Sequence, residues 1–155
     1  MIIKQIKYIE TQVKDTEAEI TRIMEELNSP ITTIPGIGKK LGAVILGEIG
    51  DINKFDNPKK LVAAGIDATV KQSGDFEGTE NRMSKRGSPY LRRALFQAAL
   101  VACVGRNPAP VLSAFYQKKI ADGKHHNTAV GAAARKLCNI IHSVLINNRP
   151  YEVRI

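Results

Sequence analysis

The feature that most constrains this chain lies at its start. Ile2, Ile6, Ile9, Val13, Thr16, Ile20, Ile23 and Leu27 recur at spacings that alternate between four and three residues. That alternation averages 3.5 residues and keeps one apolar stripe facing a partner helix, as in the a/d seam of a coiled coil. Lys, Glu, Gln and Thr dominate the positions between, as a solvated helix face needs. The spacing therefore predicts a helical arm over residues 1–28, paired antiparallel or across a homo-oligomer seam. A lone amphipathic helix lying on its own domain is the other reading of the same pattern. Asn28-Ser29-Pro30 ends the helix either way.

Residues 29–155 read as one further domain, again helical. Residues 31–52 hold a Gly-rich turn followed by an apolar helical stretch. Asn57-Pro58 opens a short helix that Gly65 closes, with proline at the first helical position, where it loses no hydrogen bond. Residues 66–87 are polar and Gly-rich without helical period, and predict a long irregular loop. Ser88-Pro89 caps a helix that Gly105 ends. Asn107-Pro108 predicts the start of another that runs to about Ala121. A final helix is expected from about Asn127 to Ile146, before Pro150. The expected fold class is all-α: a coiled-coil helix, then a helical domain containing a helix-hairpin-helix and one long loop.

Charge points to the partner. The net charge of +8 is uneven. Residues 1–28 carry four Lys/Arg against six Asp/Glu, whereas residues 82–155 carry thirteen against two. A basic excess gathered in one part of the chain, much of it Arg, suits a polyanion with phosphate oxygens. No run of eighteen apolar residues suggests a membrane span, and the first residues lack the apolar core of a signal peptide. Cys103 and Cys138 sit in apolar helical patterns and read as buried thiols of a cytoplasmic protein.

Three segments could carry chemistry. Ile34-Pro35-Gly36-Ile37-Gly38-Lys39-Lys40 has the form of a helix-hairpin-helix turn. Gly36 and Gly38 permit a tight turn and close phosphate approach, the following helix start offers N–H groups, and Lys39 and Lys40 add charge. A plain helix corner with packing glycines is the alternative. The second segment is the loop itself, with Ser73 beside Gly74 and with Lys71 and Arg82 in the same stretch. An accessible serine could attack a phosphodiester if cations stabilise the charge that develops. Ser-Gly is also an ordinary turn pair. The third is Arg82 to Arg93, which includes Lys85, Arg86, Arg92 and Arg93. Arg92 and Arg93 lie near a helix start, where the helix dipole disfavours cations, so an external anion is a reasonable cause. His125 and His126 read as cap and surface residues, His142 as a satisfied, partly buried histidine, and Tyr90 as core or rim. Asp51, Asp56, Asp75 and Glu77 are too scattered to suggest a metal cluster.

The order PGIG, GAxILGEIGDI, FxNxKKLxAxxG, QSG and SKRGSPYLRRAL resembles the C-terminal domain of insertion-sequence one-ten-type transposases, related to pilin-gene invertases. The resemblance covers roughly residues 30–148. It implies DNA as partner, a guide RNA that selects donor and target, and a serine that becomes covalently attached to DNA, at Ser73 here. The SKRG segment falls on Ser84, Lys85, Arg86 and Gly87. It further implies an N-terminal domain whose acidic residues hold magnesium, joined through a coiled coil. No counterpart of that domain is found in the sequence. The expectation is a fragment or degenerate copy, in a bacterial or archaeal cytoplasm at the nucleoid, that does not recombine DNA by itself.

Overall fold

The computed structural model describes residues 1–67 and 83–153, with the backbone of residues 72–73 and 76–77. The fold is all-helical. Helix α1 spans Ile2–Leu27, α2 Lys39–Ile49, α3 Pro58–Gly65, α4 Pro89–Val104, α5 Pro110–Ala121 and α6 His126–Asn147. Short 3-10 turns, Pro30–Thr33 and Ile52–Lys54, flank α2. Gln72–Ser73 and Phe76–Glu77 pair antiparallel, with Ser73 opposite Phe76.

The caps follow the residues. Ser88 Oγ accepts from the Leu91 N–H at 3.1 Å, and Pro89 takes the first position of α4. Asn57 Oδ1 does the same for Lys60 at 3.2 Å, with Pro58 following. Each cap satisfies one N–H that has no partner within the helix. His125 caps α6 through its Nδ1, which accepts from the Asn127 N–H at 3.2 Å. The expected start of α5 at Asn107-Pro108 is displaced to Pro110. The Ala109 N–H donates to the Ala102 carbonyl at 2.8 Å. That bond folds residues 105–108 back beneath α4 before the next helix can begin.

Helix α6 is the centre of the domain. It packs on α3, α4 and α5 and on both 3-10 turns. It packs closely on α4, and small side chains on both helices, Ala94, Ala98, Ala99 and Ala102 on α4 and Ala129, Ala133 and Ala134 on α6, are buried. Leu95, Leu137 and Ile141 are fully buried. By length and hydropathy α6 could cross a bilayer, but its apolar face is used by the three helices around it. His142 Nε2 lies 2.7 Å from the Phe55 carbonyl and ties α6 to the turn before α3.

Helix α1 docks on α2 only by its last turns. Glu17, Ile20, Thr21 and Met24 are the positions that lose solvent, and Met24 is buried. This stripe is offset from the heptad seam and shares only Ile20 with it. The seam stays open: Ile2 is 71% exposed, Ile6 51%, Ile9 59% and Val13 50%. The arm is thus neither a helix lying wholly on its own domain nor one whose seam is used within the chain.

Candidate nucleic-acid interface

The long loop leaves the domain after α3 and returns at α4, and its two ends are pinned together. The Ser84 N–H donates to the Asp67 carbonyl at 2.8 Å, and the Ser88 N–H donates to the Ala64 carbonyl at 3.0 Å. Gly87 lies so close to the Ala64 carbonyl that a Cβ there would overlap it. The glycine that ends the SKRG segment is therefore needed for the loop to close onto α3. Ser88 also hydrogen-bonds the Glu48 carboxylate of α2, so three helices meet at this stem.

Lys85 and Arg86 project from the stem into solvent, as does Arg93 from α4. None of them joins an ion pair among the described residues. Arg92 is half-buried, and its Nη1 is buried with no hydrogen-bond partner among the described residues. A buried guanidinium nitrogen without a partner is costly. Tyr90 lies on the rim of this patch and is 69% exposed; it is not a core residue. The side chain of Ser73, and all of Lys71 and Arg82, lie outside the described residues.

The PGIG turn is arranged differently from a phosphate cradle with two open glycines. Its first limb is the 3-10 turn Pro30–Thr33, not an α-helix. Gly36 has φ +90° and sits on α4: a Cβ would meet the Ala98 carbonyl oxygen and come within 2.9 Å of the Ala102 nitrogen. Packing accounts for this glycine. Gly38, by contrast, faces open space at the start of α2. Lys39 and Lys40 pair with Glu25 and Glu17 of the arm. Both pairs lie on the exposed surface.

A cleft of about 760 Å³ opens between α3, α5 and α6. Lys59, Lys119, Arg135 and Lys136 line it, with Asp67, Asn139 and Phe115. The Lys136 and Lys119 ammonium groups lie 4.7 and 5.4 Å from the Phe115 ring centroid. Sequence reading missed this group because its members come from three helices. The paired cations Lys118-Lys119 and Arg135-Lys136 were the available signal. No three His, Cys, Asp or Glu side chains come together as a metal cage among the described residues.

An all-helical domain with basic side chains around a pinned loop stem suits a protein that handles a polyanion. The chain belongs to the Transposase IS116/IS110/IS902 family, whose profile matches residues 28–117. It is similar to the pilin gene-inverting protein of Moraxella bovis, 34% identical over 94% of this chain and 46% of that one. The Insertion element IS110 uncharacterized 43.6 kDa protein of Streptomyces coelicolor is 31% identical over 95% and 36%. The Insertion element IS900 uncharacterized 42 kDa protein of Mycobacterium paratuberculosis is 31% identical over 96% and 37%. The chain thus spans less than half the length of each of these relatives.

Proposed function

We propose that this chain is the nucleic-acid-binding part of a DNA transposase, and that its loop presents Ser73 as the nucleophile for strand exchange. The observation that carries the reading is the loop stem, where Lys85, Arg86 and Arg93 stand unpaired beside the half-buried Arg92. Cations at the stem of a loop whose sequence carries a serine suit phosphoryl transfer, because charge grows on the phosphate oxygens as the new bond forms. The Ser73 hydroxyl would give up its proton as Oγ attacks phosphorus, and one sugar oxygen would leave and take up a proton in exchange, giving a serine–DNA phosphodiester. Family resemblance adds two further parts to the reading, a guide RNA on the basic surface and a magnesium site held by a separate acidic domain.

The test is a full-length transposase carrying this chain, incubated with labelled DNA and resolved on a denaturing gel. A covalent protein–DNA adduct that disappears in Ser73→Ala is expected. An adduct that persists moves the nucleophile to another residue, with Tyr90, Ser84 and Ser88 the next candidates. Duplex binding that survives with no adduct from the unaltered protein leaves a non-catalytic binding module.

The open seam of α1 favours a second component of the same reading. Ile2, Ile6, Ile9 and Val13 form an apolar stripe that the domain leaves uncovered, and a second copy's arm would bury it.

A further inference from the structure

We infer that the cleft between α3, α5 and α6 is a separate binding site for single-stranded nucleic acid, with room for an unpaired base. The inference stands apart from the serine-loop reading, because none of its residues belongs to the loop stem's basic patch.

Four cations share this cleft with one carboxylate, Asp67. Among the described residues none of the four joins an ion pair. Like charges gathered in one concavity repel each other and focus a positive field into it. Solvated charge kept only for solubility would gain more by spreading out. A polyanion strand removes the repulsion.

Shape and wall chemistry narrow the class. The volume of about 760 Å³ falls within the roughly 300–1,000 Å³ of clefts that enclose ligands. A base held in a duplex stack cannot turn onto the Phe115 ring, whereas an unpaired base can. Val62, Ala63 and Ala132 give one apolar wall, and Phe115 gives an aromatic one. Backbone cations with an aromatic between them are what single strands use, phosphates on the cations and a base on the ring. The Phe115 ring is covered at present by the Lys119 and Lys136 ammonium groups. A base would take the place of one lysine on the ring, and that lysine would then pair with the adjacent phosphate. The Asp67 carbonyl holds Ser84 at the loop stem, so the cleft opens beside the point where the loop leaves the domain.

The test uses the whole chain and three labelled probes read by fluorescence anisotropy: a short oligothymidylate, a short oligouridylate and a duplex. Lys119→Glu with Arg135→Glu should weaken the single-strand probes by at least about tenfold and lower the salt slope of log affinity by about 1.4, roughly 0.7 for each lost phosphate partner. Phe115→Leu should weaken them by about tenfold through lost stacking. Duplex affinity should fall much less for both, within about twofold for Phe115→Leu, because paired bases cannot stack on the Phe115 ring. Lys85→Glu with Arg86→Glu should do the reverse, and that variant alone tests the loop-stem reading. Tighter binding of the ribo or the deoxy probe would support the site and identify its strand. Unchanged single-strand affinity in the cleft variants overturns the inference, as does equal loss on all three probes. If a variant fails to fold, photocrosslinking of a thiouridine-bearing strand to the unaltered protein decides. Crosslinks on α5 and α6 support the site, and crosslinks confined to other segments refute it.

Discussion

Replacing Gly36 by alanine is a decisive test of how the PGIG turn works, because the two roles open to this glycine predict different losses. In the structure Gly36 has φ +90°, and a Cβ would overlap the Ala98 carbonyl oxygen and approach Ala102 N to 2.9 Å and Ala102 Cβ to 3.0 Å. The backbone conformation alone costs an alanine about 1–2 kcal/mol. The overlap is with main chain in the middle of α4, which cannot swing aside, and overpacking of this kind costs about 1–3 kcal/mol. A destabilisation of about 3 kcal/mol is therefore expected. For a domain of this size that lowers the melting temperature by about 6–12 °C. Urea unfolding followed by circular dichroism measures it, with Gly47→Ala as control. Gly47 lies within α2, and a Cβ there meets nothing within 4 Å. That substitution should stabilise by about 0.5–1 kcal/mol, since glycine is a poor helix former. A Gly36→Ala protein that unfolds like its parent but binds nucleic acid far more weakly would refute the packing argument. It would return Gly36 to a phosphate-binding role.

Three other outcomes are expected. Glu17→Gln with Glu25→Gln frees Lys40 and Lys39 from the arm. Exposed pairs of this kind are each worth about 0–1 kcal/mol, so stability should barely change while duplex affinity rises at low salt; unaltered affinity would mean that these lysines never reach DNA. Burial pushes the Cys138 thiol up to about 12 and the Cys103 thiol up to about 11. The folded state therefore keeps its protons where the unfolded chain loses them, so this stability is complete below about pH 9 and is lost as pH climbs towards 12. The fall in urea midpoint between pH 8 and 10.5 should shrink in Cys103→Ala with Cys138→Ala, each protein being compared with itself at pH 8, and an equal fall in both would refute it. Ile6→Lys with Ile9→Lys changes two exposed positions and should leave the melting temperature nearly unchanged, while abolishing any dimer seen by sedimentation equilibrium. A parent chain that is monomeric at all concentrations would remove the arm's proposed role.

The parts of this fold that were legible in the sequence are those where one residue settles a local question. Pro58 and Pro89 fix helix starts because proline has no N–H to lose there, and Asn57 and Ser88 before them have the side chains to cap. The helix α1 was legible from its apolar repeat, whereas the coiled-coil pairing that the repeat suggests stays a proposal. What stayed hidden depends on which surfaces meet. Nothing local shows that α1 turns Glu17, Ile20 and Met24 to the domain in place of its heptad stripe. That rotation decides the fate of Lys39 and Lys40: the charge that suggested phosphate is answered by two glutamates fourteen and twenty-three residues earlier in the chain. The same holds for Gly36, whose need for glycine comes from a helix about sixty residues further on. The cleft shows the converse. Lys59, Phe115, Lys119, Arg135 and Lys136 are unremarkable where they stand in the chain, and they gain meaning only when α6 brings α3 and α5 together. Charge counted along the sequence therefore proposes a kind of partner. Docking decides which cations stand unpaired: those of the loop stem and the cleft join no ion pair among the described residues, whereas Lys39 and Lys40 each face a glutamate of the arm.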